Sequence, residues 1–374
     1  MTVPTKPNPE APSRIHSTGS LDEYKPVMLT PVIGNEFIKG SVNIVDDILH
    51  APNADQRIRD LAVMSKQFPD LLLCQTLKTD VLKVAERGVV FFRAQHNLTN
   101  DLQKELISRM GQLTARPSDH GLHTHPIYMS DRDFSDRDPE ISTIDSAALK
   151  KVWKGNSGTR AAVWHSDISF EPAPADFTCL RLTKLPETGG DTLWASGYEM
   201  YDRISKPYRA FLETLTTTHV ADAFHRASAA GKFELYEKPR GSPLNVGAEL
   251  SATHPVVRTN PITGWKSIYC VGFPVLKKVN GLTVRESENL FNYFHDLITY
   301  GHDLQVRFKW HEVNDIAIWD NRSVFHCATF DFDGFGDRSG NRAVGVGEVP
   351  YFDRSSKSRR EDLGIEDTIP PFHW

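Results

Sequence analysis

Residues 164–196 read WHSDISFEPAPADFTCLRLTKLPETGGDTLWAS, and this stretch decides both the expected fold and the expected chemistry. It begins with His165-Ser166-Asp167, the only His-x-Asp in the chain. Residues i and i+2 of an extended strand point to the same face, so this spacing directs an imidazole and a carboxylate to one place. Two histidines and one carboxylate on one side of a metal hold Fe(II) and leave other positions open. Alone, such a pair is more often a surface turn or a hydrogen-bonded pair in the core than a metal site.

A third ligand has to come from another strand, and His326 in WDNRSVFHCATF (319–330) is the candidate. Two arginines, Arg338 and Arg342, follow it. The apolar residues around the first pair predict a buried strand lined by aromatic side chains, and a Gly-Gly-Asp-Thr turn comes after it. Together these residue types predict a non-haem iron oxygenase.

Composition and charge narrow the class of protein. The 374 residues include 39% hydrophobic and 24% charged residues, which is ordinary for a globular protein. A net charge of −5 gives no basic surface for nucleic acid or a membrane. No secretion signal or membrane-spanning run is visible, so a cytoplasmic location is expected. The four cysteines lack CxxC spacing, and Cys179 and Cys327 are expected to be buried thiols.

The hydrophobic pattern predicts strands interrupted by helices. The composition of residues 1–25 predicts a flexible N-terminal arm. Residues 26–374 are expected to form a single domain, because the candidate ligands of one site lie far apart in this part of the sequence. Residues 111–160 predict a long loop that is disordered or acts as a lid. The expected fold is mainly β with α, a double-stranded β-helix (jelly-roll) core with covering helices and helical insertions. Strands are predicted at 89–93, 161–165, 177–185, 191–195, 254–259, 266–271, 304–310, 315–321 and 342–348, and helices at 80–87, 99–110, 197–215 and 283–300.

Several longer motifs occur in a fixed order between residues 88 and 348. They are GVVFFR (88–93), HTHPIY (123–128), WHSDISFE (164–171), LPETGGDTLWAS (185–196), HPVVRTNPITG (254–264), NDIAIWDNRSVFH (314–326) and RAVGVGE (342–348). In these motifs the chain resembles the taurine dioxygenase (TauD/TfdA-like) family of Fe(II)/2-oxoglutarate-dependent dioxygenases, and its fungal alkyl-sulfonate dioxygenase branch in particular. The resemblance covers the whole expected domain and also implies a homo-oligomer.

The resemblance implies roles for the residues of the iron site. His165, Asp167 and His326 match the iron ligands, and 2-oxoglutarate and O2 occupy the remaining positions as co-substrates. Arg338 and Thr192 match the residues that bind the distal carboxylate of 2-oxoglutarate, a group that is costly to bury without a partner. From the sequence alone, a solvated charge in the loop GDRSGNR is favoured for Arg338, and only the surrounding motifs favour the binding role.

The resemblance also implies a substrate site. Arg342 matches an arginine that binds the substrate sulfonate, aided by His125, while Tyr128 and Phe273 match residues near the substrate. Trp319 matches an aromatic residue that supports the pocket, although Phe273 and Trp319 also fit the hydrophobic core. The histidines at 120, 123 and 125 fit a second metal site, but a loop with solvated histidines is favoured for the first two. The family asparagine that contacts the amine of taurine is replaced by alanine at position 161.

The predicted activity is hydroxylation of a small anionic substrate, taurine or another alkyl sulfonate, with release of sulfite, aldehyde, succinate and CO2. One alternative keeps the iron chemistry but acts on an amino acid, a carboxylate or a sulfate ester in specialised metabolism. A second alternative is a noncatalytic jelly-roll protein that only holds a metal.

Overall fold

The computed structural model describes residues 14–63, 84–127, 138–147, 163–272 and 275–365. Within these ranges the chain is a mixed α/β protein built on mainly antiparallel sheets, with one parallel pair between β2 and β3. The strands are β1 (Val27–Met28), β2 (Asn35–Phe37), β3 (Val89–Phe92), β4 (Ile141–Asp145), β5 (Ala175–Lys184), β6 (Thr192–Ser196), β7 (Thr216–Val220), β8 (Ser251–Pro255), β9 (Val257–Thr259), β10 (Lys266–Ile268), β11 (Leu276–Val279), β12 (Gln305–Phe308), β13 (Ile316–Asp320), β14 (Val324–Ala328) and β15 (Ser339–Val346). The helices are α1 (Ala54–Val63), α2 (Val84–Arg87), α3 (Asn100–Gln112), α4 (Gly197–Arg203), α5 (Lys206–Leu212), α6 (Asp222–Ala229), α7 (Val284–Tyr300) and α8 (Arg359–Leu363), with a π-helical turn at Ile44–Leu49 and a 3-10 turn at His302–Leu304.

Two sheets face each other at the centre of the protein. The larger has the strand order β1-β2-β3-β13-β5-β15-β4, and the smaller has the order β12-β6-β14. Their contact is aromatic, because the ring of Trp194 on β6 lies edge-on to Phe91 on β3 and to Trp319 on β13, at centroid distances of 5.1 and 5.7 Å. His326 on β14 faces the same space, with its ring 4.8 Å from that of Trp319.

The other face of the large sheet is covered by helices. Phe177 and Cys179 of β5 point to this side and pack with residues of α1 and α3, while the alternate residue Thr178 points to the small sheet. Helix α3 begins where it was predicted to begin, since the Thr99 hydroxyl accepts a hydrogen bond from the Leu102 N–H at 3.3 Å. With both faces covered, β5 is buried along most of its length, including its polar residues Asp176 and Thr178.

Most predicted elements are present with shifted ends. The helix predicted over 283–300 is confirmed as α7, and Thr283 and Glu286 form a capping box at its start. The helix predicted over 197–215 is divided into α4 and α5. Pro207 lies in the first turn of α5, where its missing N–H costs no helical hydrogen bond.

Two expectations about local structure are wrong. The segment 111–160, predicted as a loop, contains β4, which pairs with β15. The strand predicted to carry His165 is not formed, because His165 makes only isolated bridges to Gly272 and His326 and a turn follows. In that turn Ile168 has φ of 46°, a region that β-branched residues rarely adopt. The two candidate ligands are therefore presented by a bridge and a strained turn.

Residues 14–25 of the predicted arm pack against the body of the protein. Leu21 is fully buried, and the Ile15 N–H donates to the Ile262 carbonyl at 3.2 Å. The prediction of a flexible arm is therefore wrong for these residues, and residues 1–13 lie outside the described ranges. The predicted buried thiols are confirmed at Cys179 and Cys327, which are unpaired. None of the described helices is long and apolar enough to cross a membrane.

Candidate active site

His165, Asp167 and His326 come together as the sequence predicts. One ligand atom from each lies within 4.8 Å of the others, and no other group of three His, Cys, Asp or Glu residues with this property occurs in the described ranges. Two imidazoles and one carboxylate on one side of a point are a donor set suited to Fe(II) with open positions. The residues present thus fit the metal that the sequence predicts.

The two histidines are held side by side by the backbone. The His165 N–H donates to the His326 carbonyl at 3.1 Å, and the His326 N–H donates to the His165 carbonyl at 2.9 Å. This antiparallel pair places both side chains on one side, with ring centroids 4.3 Å apart. Nδ1 of His165 lies 2.9 Å from the Val163 carbonyl, so Nδ1 carries the proton and Nε2 keeps its lone pair for a metal.

Asp167 is buried, and both of its carboxylate oxygens have protein partners. Nη1 of Arg342 donates to Oδ1 at 2.5 Å, and the Thr178 hydroxyl donates to Oδ2 at 3.0 Å. Burial by itself raises the pKa of Asp167, but the charge of Arg342 and the two histidines outweigh it and lower the pKa to about 2. The side chain is therefore an anion, as a metal ligand must be.

His326 sits on β14 opposite Trp194 of β6. Its Nε2 lies 3.8 Å from Oδ1 of Asp167. Burial, followed by the neighbouring His165, lowers the pKa of His326 to about 3, although Asp167 opposes the shift. The ring is therefore neutral at physiological pH and can donate a lone pair to a cation.

Asn321 was missed by the sequence analysis, although it orders the site. Its side-chain oxygen accepts from the backbone N–H of Asp167 and from the Trp319 indole, both at 3.0 Å. Its amide donates to the Thr178 hydroxyl at 2.8 Å, and that hydroxyl in turn donates to Asp167. Asn321 follows Trp319 by two residues, directly after the end of β13, and its role depends on tertiary contacts that leave no local signal. Trp319 therefore supports the site through this hydrogen bond as well as through its contact with His326.

Arg338 and Thr192 are also brought together. Nη2 of Arg338 donates to the Thr192 hydroxyl at 3.1 Å, and Nε donates to the Gly190 carbonyl at 2.8 Å. Arg338 is 5% exposed, so a solvated loop charge is excluded. Burial lowers the pKa of Arg338 to about 10, opposed by Asp191, so the guanidinium stays charged at neutral pH. Among the described residues no carboxylate forms an ion pair with Arg338.

The Arg338–Thr192 pair lies on the same side of the small sheet as His326. Residues 192 and 194 of β6 point to one face of the small sheet. Trp194 lies directly opposite His326 of the neighbouring strand β14. Thr192 is thus a diagonal neighbour of His326, at a spacing of about 7–8 Å. A small molecule between the iron ligands and Arg338 would span this distance.

The histidines of segment 120–125 are not solvated, so that expectation is wrong for the first two. His120 is buried, with Nδ1 2.8 Å from the Gly347 carbonyl and Nε2 2.9 Å from the Ser242 hydroxyl. His123 is buried, and its Nε2 lies 3.2 Å from Oε1 of Glu171. Burial lowers the pKa of His123, although Glu171 opposes the shift.

His125 belongs to a segment that pairs with β15, the strand that carries Arg342. The His123 N–H donates to the Val344 carbonyl at 2.8 Å, which pairs this segment with β15, the strand that carries Arg342. The ring of His125 lies 6.2 Å from that of His123, and the charge of Arg342 acts on His123. Nδ1 of His125 accepts from the Ile127 N–H at 3.2 Å, which leaves the proton on Nε2 when the ring is neutral.

Three positions of the predicted substrate site lie outside the described residues. They are Tyr128, Phe273 and Ala161.

Comparison with known proteins assigns the family. The model of the taurine catabolism dioxygenase TauD, TfdA family matches residues 57–344. The chain belongs to this family and is an α-ketoglutarate-dependent dioxygenase, which uses Fe(II), 2-oxoglutarate and O2 to oxidise a small organic substrate. The alternative of a noncatalytic metal-holding protein is therefore set aside.

Curated relatives cover different parts of the chain. The α-ketoglutarate-dependent dioxygenase btcD of Neocamarosporium betae is 44% identical over 358 residues, 92% of this chain and 96% of the relative. The α-ketoglutarate-dependent sulfonate dioxygenase of Saccharomyces cerevisiae is 32% identical over 252 residues, 67% of this chain and 56% of the relative. The α-ketoglutarate-dependent sulfate ester dioxygenase of Pseudomonas putida is 28% identical over 285 residues, 76% of this chain and 85% of the relative.

The fold is similar to that of solved dioxygenases. A taurine dioxygenase from Burkholderia xenovorans is 25% identical, with a TM-score of 0.56, and the match covers 88% of this chain and 92% of that one. The arrangement of sheets and helices described above is therefore the family architecture.

Proposed function

We propose that this enzyme oxidises an alkyl sulfonate at the carbon that bears the sulfonate group. Insertion of one oxygen atom of O2 at that carbon gives a 1-hydroxysulfonate, which breaks its C–S bond to yield an aldehyde and sulfite. The other oxygen atom enters 2-oxoglutarate, which leaves as succinate and CO2. The observation that carries this proposal is Arg342, a largely buried guanidinium in contact with Asp167 and hence beside the metal ligands.

His165, Asp167 and His326 are the proposed iron ligands, and their protonation states suit that role. Iron with 2-oxoglutarate and O2 supplies an oxidant strong enough to break an unactivated C–H bond. The protein's own contribution is to keep Asp167 ionised, to keep His326 neutral and to fix the proton of His165 on Nδ1. The large sheet and the small sheet that carries His326 are proposed to be the two sides of a jelly-roll core.

Arg338 and Thr192 are the proposed site for the distal carboxylate of 2-oxoglutarate. A buried guanidinium without an acidic partner is unfavourable, and an incoming carboxylate would supply one. Arg338 and Thr192 offer a charged and a neutral donor that are already oriented by contact with each other and with the Gly190 carbonyl. Such preorganisation reduces the entropy lost when the co-substrate binds.

Arg342 and His125 are the proposed site for the substrate anion. Nη1 of Arg342 is engaged with Asp167, and its Nε has no hydrogen-bond partner among the described residues. With its proton on Nε2, the His125 ring can donate a second hydrogen bond to a sulfonate oxygen. Tyr128 and Phe273 are proposed to flank the carbon chain. The sulfonate dioxygenase of Saccharomyces cerevisiae supports this substrate class.

A second candidate is a sulfate ester, the substrate class in the name of the relative from Pseudomonas putida. A guanidinium binds the oxygens of a sulfonate and of a sulfate ester alike, because both present three equivalent acceptors with one negative charge. The products separate them, since a sulfate ester releases sulfate and a sulfonate releases sulfite.

The experiment is turnover with a panel of anions under O2, with Fe(II) and 2-oxoglutarate. Sulfite, sulfate and succinate are measured for taurine, linear alkanesulfonates, alkyl sulfates and matched carboxylates. Sulfite in step with succinate is expected from sulfonates, and succinate without sulfite from every sulfonate would contradict the proposal. Replacing His326 by Ala should abolish turnover, while the exposed His295→Ala serves as the matched control.

A further inference from the structure

The indole of Trp310 contacts both residues of the proposed co-substrate site. Its Nε1–H donates to the Thr192 hydroxyl at 3.1 Å, and the guanidinium carbon of Arg338 lies 6.0 Å from the centre of the indole ring. Trp310 is 6% exposed, so these contacts are made inside the protein. Trp310 is therefore a third member of this buried group.

Aromatic rings from both sheets hold the indole in place. Phe308, the last residue of β12, lies directly opposite Thr192 of β6. The ring of Phe308 is stacked on that of Phe91 of β3 at a centroid distance of 4.0 Å, and it meets the ring of Trp310 edge-on at 4.9 Å. The position of the indole is thus fixed by packing at the interface between the two sheets.

The Thr192 hydroxyl accepts two hydrogen bonds. A hydroxyl oxygen has two lone pairs and one proton, and neither an indole N–H nor a guanidinium can accept a hydrogen bond. Trp310 and Nη2 of Arg338 therefore occupy both lone pairs. The proton of the hydroxyl takes the remaining direction, away from both donors, and no acceptor among the described residues receives it.

The guanidinium of Arg338 adds donors to the same place. Its Nε donates to the Gly190 carbonyl and its Nη2 to Thr192, while Nη1 makes no hydrogen bond among the described residues. The free positions of Arg338 and Thr192 are therefore all N–H or O–H donors. An ionised carboxylate only accepts hydrogen bonds, so its two oxygens are complementary to this set.

We propose that Trp310 is a positioning residue for 2-oxoglutarate, because its N–H fixes the rotation of the Thr192 hydroxyl so that the proton points at the distal carboxylate. This inference rests on the proposed carboxylate site at Arg338 and Thr192. Without the indole N–H one lone pair of the hydroxyl is free, and the hydroxyl can turn its proton away from the ligand. A donor that is oriented before binding loses less entropy when the ligand arrives.

Equilibrium binding of 2-oxoglutarate to the anaerobic Fe(II) protein, measured by calorimetry, tests the proposal without turnover. Trp310→Phe keeps an aromatic ring beside Arg338 but removes the N–H, and the dissociation constant of 2-oxoglutarate should rise about three- to tenfold. Thr192→Val should raise it by a similar factor. Because the indole acts through the hydroxyl, the double variant should bind within about twofold of Thr192→Val alone.

Three further measurements separate this role from packing. Trp265→Phe also removes an indole hydrogen bond, one of 2.9 Å to Asp362, and should leave the affinity for 2-oxoglutarate unaltered. The dissociation constant of Fe(II), measured without 2-oxoglutarate, should be the same in Trp310→Phe and wild type if the site remains folded. Replacement of Trp310 by benzothienylalanine, in which sulfur takes the place of the N–H, keeps the shape of the side chain. This variant should reproduce the effect of Trp310→Phe, and it decides the matter if Trp310→Phe weakens iron binding.

The outcomes distinguish this inference from the proposed function. If Thr192→Val weakens 2-oxoglutarate binding and loss of the indole N–H does not, the role of Trp310 fails and the carboxylate site stands. Fully additive effects in the double variant would also overturn the proposal, because Trp310 would then act independently of the hydroxyl. If Arg338→Gln alone weakens binding, the carboxylate lies on Arg338 without Thr192 and the role of Trp310 fails. If neither Arg338→Gln nor Thr192→Val weakens binding, the carboxylate site and the inference are both wrong.

Discussion

Arg342 and Asp167 form an ion pair in which Nη1 of the arginine lies 2.5 Å from Oδ1 of the aspartate. The same carboxylate is a proposed iron ligand, so one guanidinium contacts that ligand and also belongs to the proposed site for the substrate anion. The positive charge also repels a metal cation at close range. An anion bound at Arg342 and a metal ion bound at Asp167 are therefore expected to influence each other electrostatically through this arginine.

Replacing Arg342 by Gln should separate these two effects. The KM for a sulfonate substrate should rise by about one to two orders of magnitude, because a charge-assisted hydrogen bond contributes roughly 1.5–3 kcal/mol. The affinity for Fe(II) should not fall, since a nearby positive charge is removed. Steady-state kinetics and anaerobic iron titration measure the two quantities. Arg285→Gln, at an exposed arginine of α7, is the control, and weaker iron binding in Arg342→Gln would contradict this account.

Arg338→Gln should act on the co-substrate instead. Loss of the buried guanidinium leaves the distal carboxylate of 2-oxoglutarate without a cation, so the KM for 2-oxoglutarate should rise roughly 10- to 100-fold. Thr192→Val removes a neutral hydrogen bond and should cost less, about tenfold or below. The KM for the sulfonate should change little in both. An unchanged 2-oxoglutarate KM in Arg338→Gln would show that another residue binds that carboxylate.

Thr178→Val tests the support of the iron ligand. The substitution keeps the shape but removes the hydroxyl that donates to Oδ2 of Asp167 and accepts from Asn321. Loss of a partner that orients a metal ligand weakens metal binding by about 10- to 100-fold, and the dissociation constant for Fe(II) should rise accordingly. Thr143→Val, on β4, is the matched control because, among the described residues, its hydroxyl makes one long bond, of 3.3 Å to Asn341. Equal iron affinity in both variants would rule out a role for Thr178.

The chemically distinctive residues of the site could be predicted from the sequence, but their supports could not. His165 and Asp167 were identifiable by their spacing, and His326 and Arg338 by their place in ordered motifs. Thr178 lies in an ordinary strand sequence, and its function arises only because β5 pairs with β13 and faces Asn321. Such pairing across a sheet leaves no local mark in the sequence.

Local conformation was predicted less well than residue identity. The two-residue spacing of His165 and Asp167 suggested a strand, because alternate residues of a strand point to one face. In the structure a turn with a left-handed Ile168 brings Asp167 next to His165 instead. The tertiary bridge between His165 and His326 decides this conformation, and propensity does not. The short helix α6 was missed because, apart from Phe224, its apolar residues are alanines, which give a weak periodic signal.

Two buried histidines that are not among the proposed iron ligands should make the stability of the protein depend on pH. His219 and His254 are fully buried, with ring centroids 5.1 Å apart, and Nε2 of His254 lies 2.9 Å from the Ser169 carbonyl. Burial, together with the charge of Arg258, lowers the pKa of His254 to about 3. Burial, together with His254, lowers the pKa of His219 well below its ordinary value.

The direction of the pH effect follows from these depressed values. Below about pH 6.5 each histidine takes up a proton on unfolding, so the free energy of unfolding is highest above that pH and falls as the pH drops towards 3. For His254 alone the loss between pH 7 and pH 5 is about 2 kcal/mol. Urea unfolding at a series of pH values gives the free energy of unfolding as a function of pH, and its slope reports the number of protons taken up on unfolding. Between pH 5 and 6 that number should be smaller by nearly one in His254→Gln than in wild type. The exposed His295→Gln should leave the slope unaltered, and an equal slope in wild type and His254→Gln would mean that His254 is already protonated in the folded protein.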